Sequence, residues 1–309
     1  MIIPFAPSPL CRSSSIPQSS VPSNPNTSPV STFCSLPDNA LDNLNITNEV
    51  LALINSVHPI GPALQNLVPF LNREVIISVL QSQAQLKKDP RICFRFFIWA
   101  AQKARFRSGL SHNLIVDMLL SAESGNSFHL YWSVLDELRD EKLPVPADAF
   151  VVLILGYWRL KKAEKAVETF GRMKDYECKP NLAAYNVILH VLVKKDVILL
   201  ALAVYNMILK SNCRIGCDTF SVLIDGLCKS GMTQDALNLF DEMTERGILP
   251  SRITYTVIMS GLCKAKRTHD AHRLFNLMKS SGCRPDAATY NALLDGFCKC
   301  GQIDEPSRF

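Results

Sequence analysis

Three stretches, "IDGLCKSG" from Ile224, "MSGLCKAK" from Met259 and "LDGFCKCG" from Leu294, each set a cysteine beside a lysine, at intervals of 35 residues. Two chemistries are open to that pair. A thiolate can bind a metal or cross-link, and an ammonium group can neutralise phosphate. The metal option finds little support: no C-x-x-C occurs, Cys298-x-Cys300 alone is a weak signal, and the chain holds eleven cysteines, an odd number. No secretory signal precedes them, and in apolar surroundings a free cysteine behaves as a small hydrophobe, so the phased cysteines read as buried, reduced thiols. His269 and His272 ("HDAH") lack further ligands nearby and read as an exposed helix face. Catalysis fares no better. The sequence has no H-x-E with P-C-x-x-C, no Walker loop, no G-x-S-x-G and no paired-carboxylate constellation. The expectation is a protein that is not an enzyme, with no cofactor, no metal and no small-molecule substrate.

The lysines need an element to present them. Frames beginning at 147, 182, 217, 252 and 287 agree well beyond the opening phrase. Position four reads Phe150, Tyr185, Phe220, Tyr255, Tyr290, and position ten reads Gly156, Val191, Gly226, Gly261, Gly296. Position twenty reads Ala166, Ala201, Ala236, Ala271 and then Pro306; position twenty-four reads Phe170, Tyr205, Phe240, Phe275. Within 217–251, Phe220, Leu223, Ile224 and Leu227 fall at i, i+3, i+4, i+7, the spacing of a helix face. "SGM" breaks that helix, with glycine suited to a left-handed cap. Ala236, Leu237, Phe240 and Met243 form a second face, Thr233 is its expected N-cap, and Pro250 closes the unit. One hairpin cannot bury its apolar face alone, whereas a stack can. The expected fold is therefore all-α: an α-solenoid of 35-residue helix-turn-helix repeats with a right-handed superhelical tendency and an inner groove.

Composition sets the bounds. The chain has 309 residues, 48% hydrophobic and 20% charged, enough to bury a substantial core. Residues 1–36 are rich in Ser and Pro and free of acids, and resemble an organelle transit peptide. Residues 37–76 read as leader helices or linker, and 77–146 as degenerate repeats in which Phe94, Phe97 and Trp99 pack the core. Full repeats follow at 147–181, 182–216, 217–251 and 252–286, then a partial one at 287–309 that reads as a truncation of a longer array. The net charge of +5 suits an anionic partner without demanding one. The longest apolar run, "VILLALAVYNMIL" (197–209), is shorter than the ~20 residues a bilayer requires and reads as a core helix, so no membrane insertion is expected.

Two repeat families have hairpins of this size. Tetratricopeptide repeats have 34 residues and bind peptides, which would make the chain a protein-interaction scaffold; a truncated fragment without activity is the further alternative. Here the period is 35, and "TYTVIMSGLCKAKRTHDAHRLFNLMKSSGCRPD" and "ATYNALLDGFCKCGQIDE" resemble pentatricopeptide repeats of the plain, P-type class. The resemblance implies an organellar protein that binds single-stranded RNA at one base per repeat, in transcript processing, stability or translation. It implies a mitochondrial location, with the chloroplast as alternative, and other RNA-processing proteins as further partners.

It also implies where recognition resides. In that family the base readers are position five and the last position of each frame. Here these are Val151 with Asn181, Asn186 with Gly216, Ser221 with Ser251, and Thr256 with Asp286; Asn291 stands without a second member. Val151 cannot hydrogen-bond and Gly216 has no side chain, so two pairs depart from the family pattern. The implied preference, along RNA from 5′ to 3′, is weak pyrimidine, weak pyrimidine, weak purine, guanine, pyrimidine. The basic residues at position thirteen, Arg159, Lys194, Lys229, Lys264 and Lys299, form the implied phosphate stripe. Position two, which sandwiches bases in the family, holds Asp148, Ala183, Asp218, Ile253 and Ala288, of which only Ile253 fits; Asp148 and Asp218 would repel phosphate.

Overall fold

The computed structural model describes residues 38–56, 60–85, 89–103, 112–121, 128–211 and 213–299. The expected leader (1–36) and residues 300–309, including Pro306, lie outside them. Among the described residues there are helices and no strands. In chain order they are α1 (Asp38–Ser56), α2 (Ile60–Leu64), α3 (Arg73–Gln85), α4 (Pro90–Gln102), α5 (His112–Ser121), α6 (Phe128–Asp140), α7 (Ala147–Arg159) and α8 (Ala163–Arg172). There follow α9 (Leu182–Lys194), α10 (Ile198–Lys210), α11 (Cys217–Lys229), α12 (Thr233–Glu245), α13 (Arg252–Lys264), α14 (Thr268–Ser280) and α15 (Ala287–Lys299).

Each frame folds as a hairpin. Helices α7, α9, α11, α13 and α15 begin on the first residue of their frames and end on the basic residue at position thirteen. Odd-numbered helices pack on one another in sequence from α3 to α15, and α1 extends the row by packing on α3. Each of α8, α10, α12 and α14 lies against its own odd-numbered partner and the one that follows. The result is the expected α-solenoid, with one continuous core from Val50 to Phe297.

The repeated residues make the joints. The alanines at position twenty, Ala166, Ala201, Ala236 and Ala271, are fully buried where the hairpin closes. The aromatic at position twenty-four meets the aromatic at position four of the next frame. Ring centroids lie 5.8 Å apart for Phe170–Tyr185, 6.0 Å for Tyr205–Phe220, 5.4 Å for Phe240–Tyr255 and 5.5 Å for Phe275–Tyr290. Such edge-to-face or tilted pairs add about 0.5–1.5 kcal/mol beyond their buried area. Phe94, Phe97 and Trp99 of α4 are buried as expected, and Asp89 caps that helix by accepting from the Arg91 N–H.

The phased cysteines explain the opening phrase. A Cβ added at Gly261 would stand 2.5 Å from Cys228 Sγ, and one at Gly296 would stand 2.2 Å from Cys263 Cβ. The cysteine of one repeat thus occupies the space that glycine clears in the next. Cys263 is buried and Cys228 half-buried, but Cys298 is exposed, so the expectation of buried thiols fails there; no described helix packs over it.

Two further expectations need correction. Thr233 is the first residue of α12 rather than its N-cap, which is Met232 with no side-chain cap bond. The preceding chain turns through Gly231 at φ +76°, and the equivalent Lys161, Asp196 and Lys266 adopt φ near +60° too, so a tight left-handed turn sets the helix start. Helix α10 is only half a core helix. Ile198, Ala201, Val204, Tyr205 and Ile208 are buried, while Leu199 (75% exposed), Leu200 and Met207 face outward. None of the described helices is long and apolar enough to cross a membrane.

Candidate nucleic-acid interface

The odd-numbered helices define the surface on which the candidate residues sit. At about 100° per residue, positions two, nine and thirteen of a helix point within about 40° of one another, and position five lies about 60° to one side. On α13 this places Ile253, Thr256 and Lys264 along one flank. Ile253 is 70% exposed, Thr256 half-buried and Lys264 exposed. Stacking of odd-numbered helices repeats that flank once per frame.

Position five is half-buried in Asn186, Ser221 and Thr256, and Asn291 is exposed. Val151 does not join them. It is fully buried, along with Ala149, Phe150, Val152, Leu153 and Ile154. Helix α7 is enclosed by α4 in addition to α5, α8 and α9, and an apolar side chain there is drawn into the core. Val151 is therefore a core residue and no reader.

The last position of each frame is the N-cap of the next odd-numbered helix. Asn181 accepts from the Ala184 N–H at 2.9 Å, Ser251 from Thr254 at 3.2 Å, and Asp286 from Thr289 at 3.0 Å. Gly216 caps α11 with its backbone alone. These bonds tie each candidate reader to a helix start. Asp286 also pairs with Arg252 at 3.2 Å. The Thr289 N–H and hydroxyl, with Arg252 beside them, hold the Asp286 carboxyl below its ordinary range, so it is an acceptor at neutral pH.

The structure adds residues that sequence reasoning passed over. Thr219, Thr254 and Thr289 occupy position three, are at most 1% exposed, and bond the position-five residue of the preceding frame. Thr219 Oγ1 donates to Asn186 Oδ1 at 2.7 Å, Thr254 Oγ1 lies 2.7 Å from Ser221 Oγ, and Thr289 Oγ1 lies 2.9 Å from Thr256 Oγ1. Their 35-residue spacing was the available signal. Cys217 joins the same cluster, with Sγ 3.7 Å from both Ser221 Oγ and Thr254 Oγ1. Burial opposes its ionisation, but hydrogen bonds with Ser221, Thr254 and Ser251 outweigh that and lower its pKa.

The basic stripe is unevenly occupied. Lys194 and Lys264 are exposed, with no ion pair seen among the described residues. Arg159 is held by Asp117 and by Asn113, and Lys229 by Asp225 one turn earlier in its own helix. Exposed pairs of this kind contribute about 0–1 kcal/mol, so phosphate can displace them. The side chain of Lys299 lies outside the described residues. At position two, Asp148 is buried and bonded to His112 at 2.8 Å, so its charge is turned away from the surface, contrary to expectation. Asp218 is exposed as expected. Among the described residues no three potential metal ligands come together.

Comparison with known proteins supplies the family. Sequence models described as the PPR repeat family match residues 180–229, 219–264 and 253–299, and one described as a pentatricopeptide repeat domain matches 133–195. A pentatricopeptide repeat-containing protein of Arabidopsis thaliana is 47% identical over 177 residues, covering 57% of this chain and 22% of the relative. Another from Arabidopsis thaliana, named as mitochondrial, is 33% identical over 107 residues, covering 35% of this chain and 22% of its own length. The chain thus spans less than a quarter of either. Among solved structures, pentatricopeptide repeat protein PPR10 in complex with an 18-nt psaJ RNA element matches at TM-score 0.49 and 21% identity, over 87% of this chain and 38% of that one. The PPR domain of Arabidopsis thaliana protein-only RNase P 1 in complex with tRNA matches at TM-score 0.48 and 14% identity, over 59% of this chain and 94% of that one. The family models together span residues 133–299, the stretch in which the 35-residue joints recur, and the chain belongs to the pentatricopeptide repeat family.

Proposed function

We propose that this chain binds single-stranded RNA, one base per repeat, through the flank that carries positions two, five and thirteen of its odd-numbered helices. The carrying observation is the recurrence of half-exposed polar side chains, Asn186, Ser221 and Thr256, beside exposed basic residues at the same 35-residue step. A polar side chain presented once per hairpin can meet the edge of an unstacked base, and a lysine two to three turns along can meet the phosphate. Thr256 with Asp286 reads guanine: the hydroxyl meets a ring nitrogen, and the carboxylate accepts from guanine N–H groups. Asn186 and Asn291 read pyrimidine, and Ser221 with Ser251 reads purine. Gly216 and the buried Val151 supply nothing, so Asn181 reads alone, and affinity is modest, with Ile253 the one position-two side chain that suits base stacking. In this reading the protein is of the P-type class and acts in an organelle, the mitochondrion before the chloroplast, by occupying a transcript segment during processing, stabilisation or translation.

The test is fluorescence anisotropy of the full chain with a pool of short random RNAs, beside Thr256→Asn. Salt-sensitive binding, with one position shifting from guanine toward uracil in the variant, supports the reading. A folded, helical protein that binds no RNA at low salt would instead favour a peptide scaffold of the tetratricopeptide kind.

A further inference from the structure

We infer that the buried threonines Thr219, Thr254 and Thr289 are positioning residues that set which way each reader of the preceding repeat presents its hydrogen-bonding groups. The inference rests on the RNA-binding reading above and concerns how the reader pair is built.

Thr256 and Asp286 belong to one frame, at opposite ends of it, and make no direct bond. Thr289 joins them. Its Oγ1 lies 2.9 Å from Thr256 Oγ1 and 2.9 Å from Asp286 Oδ1. The Asp286 N–H approaches the same oxygen at 3.4 Å. Ser221 and Ser251 repeat the arrangement, with Thr254 Oγ1 at 2.7 Å from the first and 2.9 Å from the second. In the frame before, Gly216 offers no side chain, and Thr219 bonds Asn186 alone at 2.7 Å.

A hydroxyl has a single proton to give. When Thr289 gives its proton to the Asp286 carboxylate, it can only accept from Thr256, whose own proton then points inward and whose outer face is an acceptor. When guanine N–H groups occupy the carboxylate, the Thr289 proton is released to Thr256, and Thr256 can donate outward to a ring nitrogen. The two readers are therefore set together, through one buried proton. Thr256 also lies 3.0 Å from the Arg252 carbonyl, a second inward acceptor for its proton in the free protein. At Asn186 the consequence is simpler. Thr219 occupies the amide oxygen, which leaves the NH₂ group outward as a donor, suited to the O2 carbonyl that both pyrimidines share. Each threonine is at most 1% exposed, so it cannot touch a base itself and acts through its neighbours.

Valine matches threonine in shape and lacks the hydroxyl, whereas serine retains it. The experiment compares wild type, Thr289→Val and Thr289→Ser by competition anisotropy with RNAs that differ at the guanine position, and measures helicity and Tm of each. The expected result is that Thr289→Val loses about fivefold in guanine discrimination at that base, within what one hydrogen-bonded reader supplies. Discrimination at other bases and the salt dependence stay unchanged, and Thr289→Ser behaves as wild type. Should Thr289→Val unfold α15, Thr254→Val in the interior decides the matter, through the purine preference at the base read by Ser221 and Ser251. Folded valine variants that discriminate as wild type does would overturn the inference and leave the RNA reading standing. A folded wild-type protein that binds no RNA would overturn both.

Discussion

Val193 of α9 fills the space that a side chain on Gly226 of α11 would need: a Cβ there would come 2.8 Å from Val193 Cγ2 and 2.9 Å from Ile198 Cδ1. The glycine is fixed by what faces it and not by its own backbone, which is ordinary helix. The same relation holds between the cysteines and glycines of the next two joints, which is why the phrase recurs.

Gly226→Ala is therefore expected to destabilise the protein by about 1–3 kcal/mol through overpacking. Val193→Ala alone should cost about 1–2 kcal/mol by leaving a cavity. Combined, the two should cost less than their sum, because the smaller residue at 193 admits the new methyl. Urea unfolding of the four proteins of this cycle checks it; strict additivity would show that the two sites do not press on each other.

Asp286→Asn should abolish the guanine preference at its base with little change in overall affinity. An amide presents a donor as well as an acceptor where the carboxylate only accepts. Selection from an RNA pool randomised at that base reads the outcome, and a retained guanine preference would remove Asp286 from the reading pair.

The pH response follows from the same carboxylate. Its pKa is lowered from the ordinary 3.8, first by the Thr289 N–H and hydroxyl and then by Arg252. A depressed carboxyl contributes stability that is present above its unfolded value and is lost as pH falls through the folded one. Guanine discrimination should accordingly be flat from about pH 5 to pH 8, where the carboxylate stays ionised. A drop in discrimination across that interval would place another titrating group in the contact.

Lys194→Ala and Lys264→Ala should each flatten the salt dependence of RNA binding by about 0.7 in log–log slope, the share of one phosphate on a single strand. Asp225→Asn should act in the opposite sense, tightening binding about twofold by freeing Lys229 from its intrahelical pair. Titrations in potassium chloride separate these outcomes, and equal slopes for all variants would assign the stripe to solvent.

Cys217 offers a footprint. Its sulfur lies beside Ser221 and Thr254, half-buried on the candidate surface. Iodoacetamide labelling of Cys217, followed by mass spectrometry, should slow when RNA is bound, while labelling of Cys283 in the loop after α14 stays constant. Protection of both alike, or of neither, would place RNA elsewhere.

Much of this architecture was legible in the sequence because it is periodic. Ala236, Phe240 and Tyr255 recur in phase with their partners, and a recurring residue in a stack is a joint. The glycine at position ten was visible too, but its reason was not, since the cysteine it faces belongs to the neighbouring frame. What failed was local. Thr233 looked like a cap because threonine often is one; the left-handed turn before it settles the helix start instead. Val151 was in reader register, but α4 and its neighbours enclose α7 and no period announces that. Asp148 looked like an exposed charge until His112, from a helix outside the regular frames, accounted for it. Thr254 and Thr289 escaped because inward-facing threonines read as filler when each frame is considered alone.

Thr289 serves Thr256 and Asp286, which lie in the frame upstream, so the segment that folds as a hairpin and the segment that completes a polar cluster are out of step. A gene duplication or a designed graft that copies whole frames transplants a threonine belonging to the neighbour and leaves its own behind. The portable cassette for this cluster is the span Arg252–Thr289, which overlaps its successor, and protein engineers who splice such arrays at their loops inherit whatever side chain happens to wait across the seam.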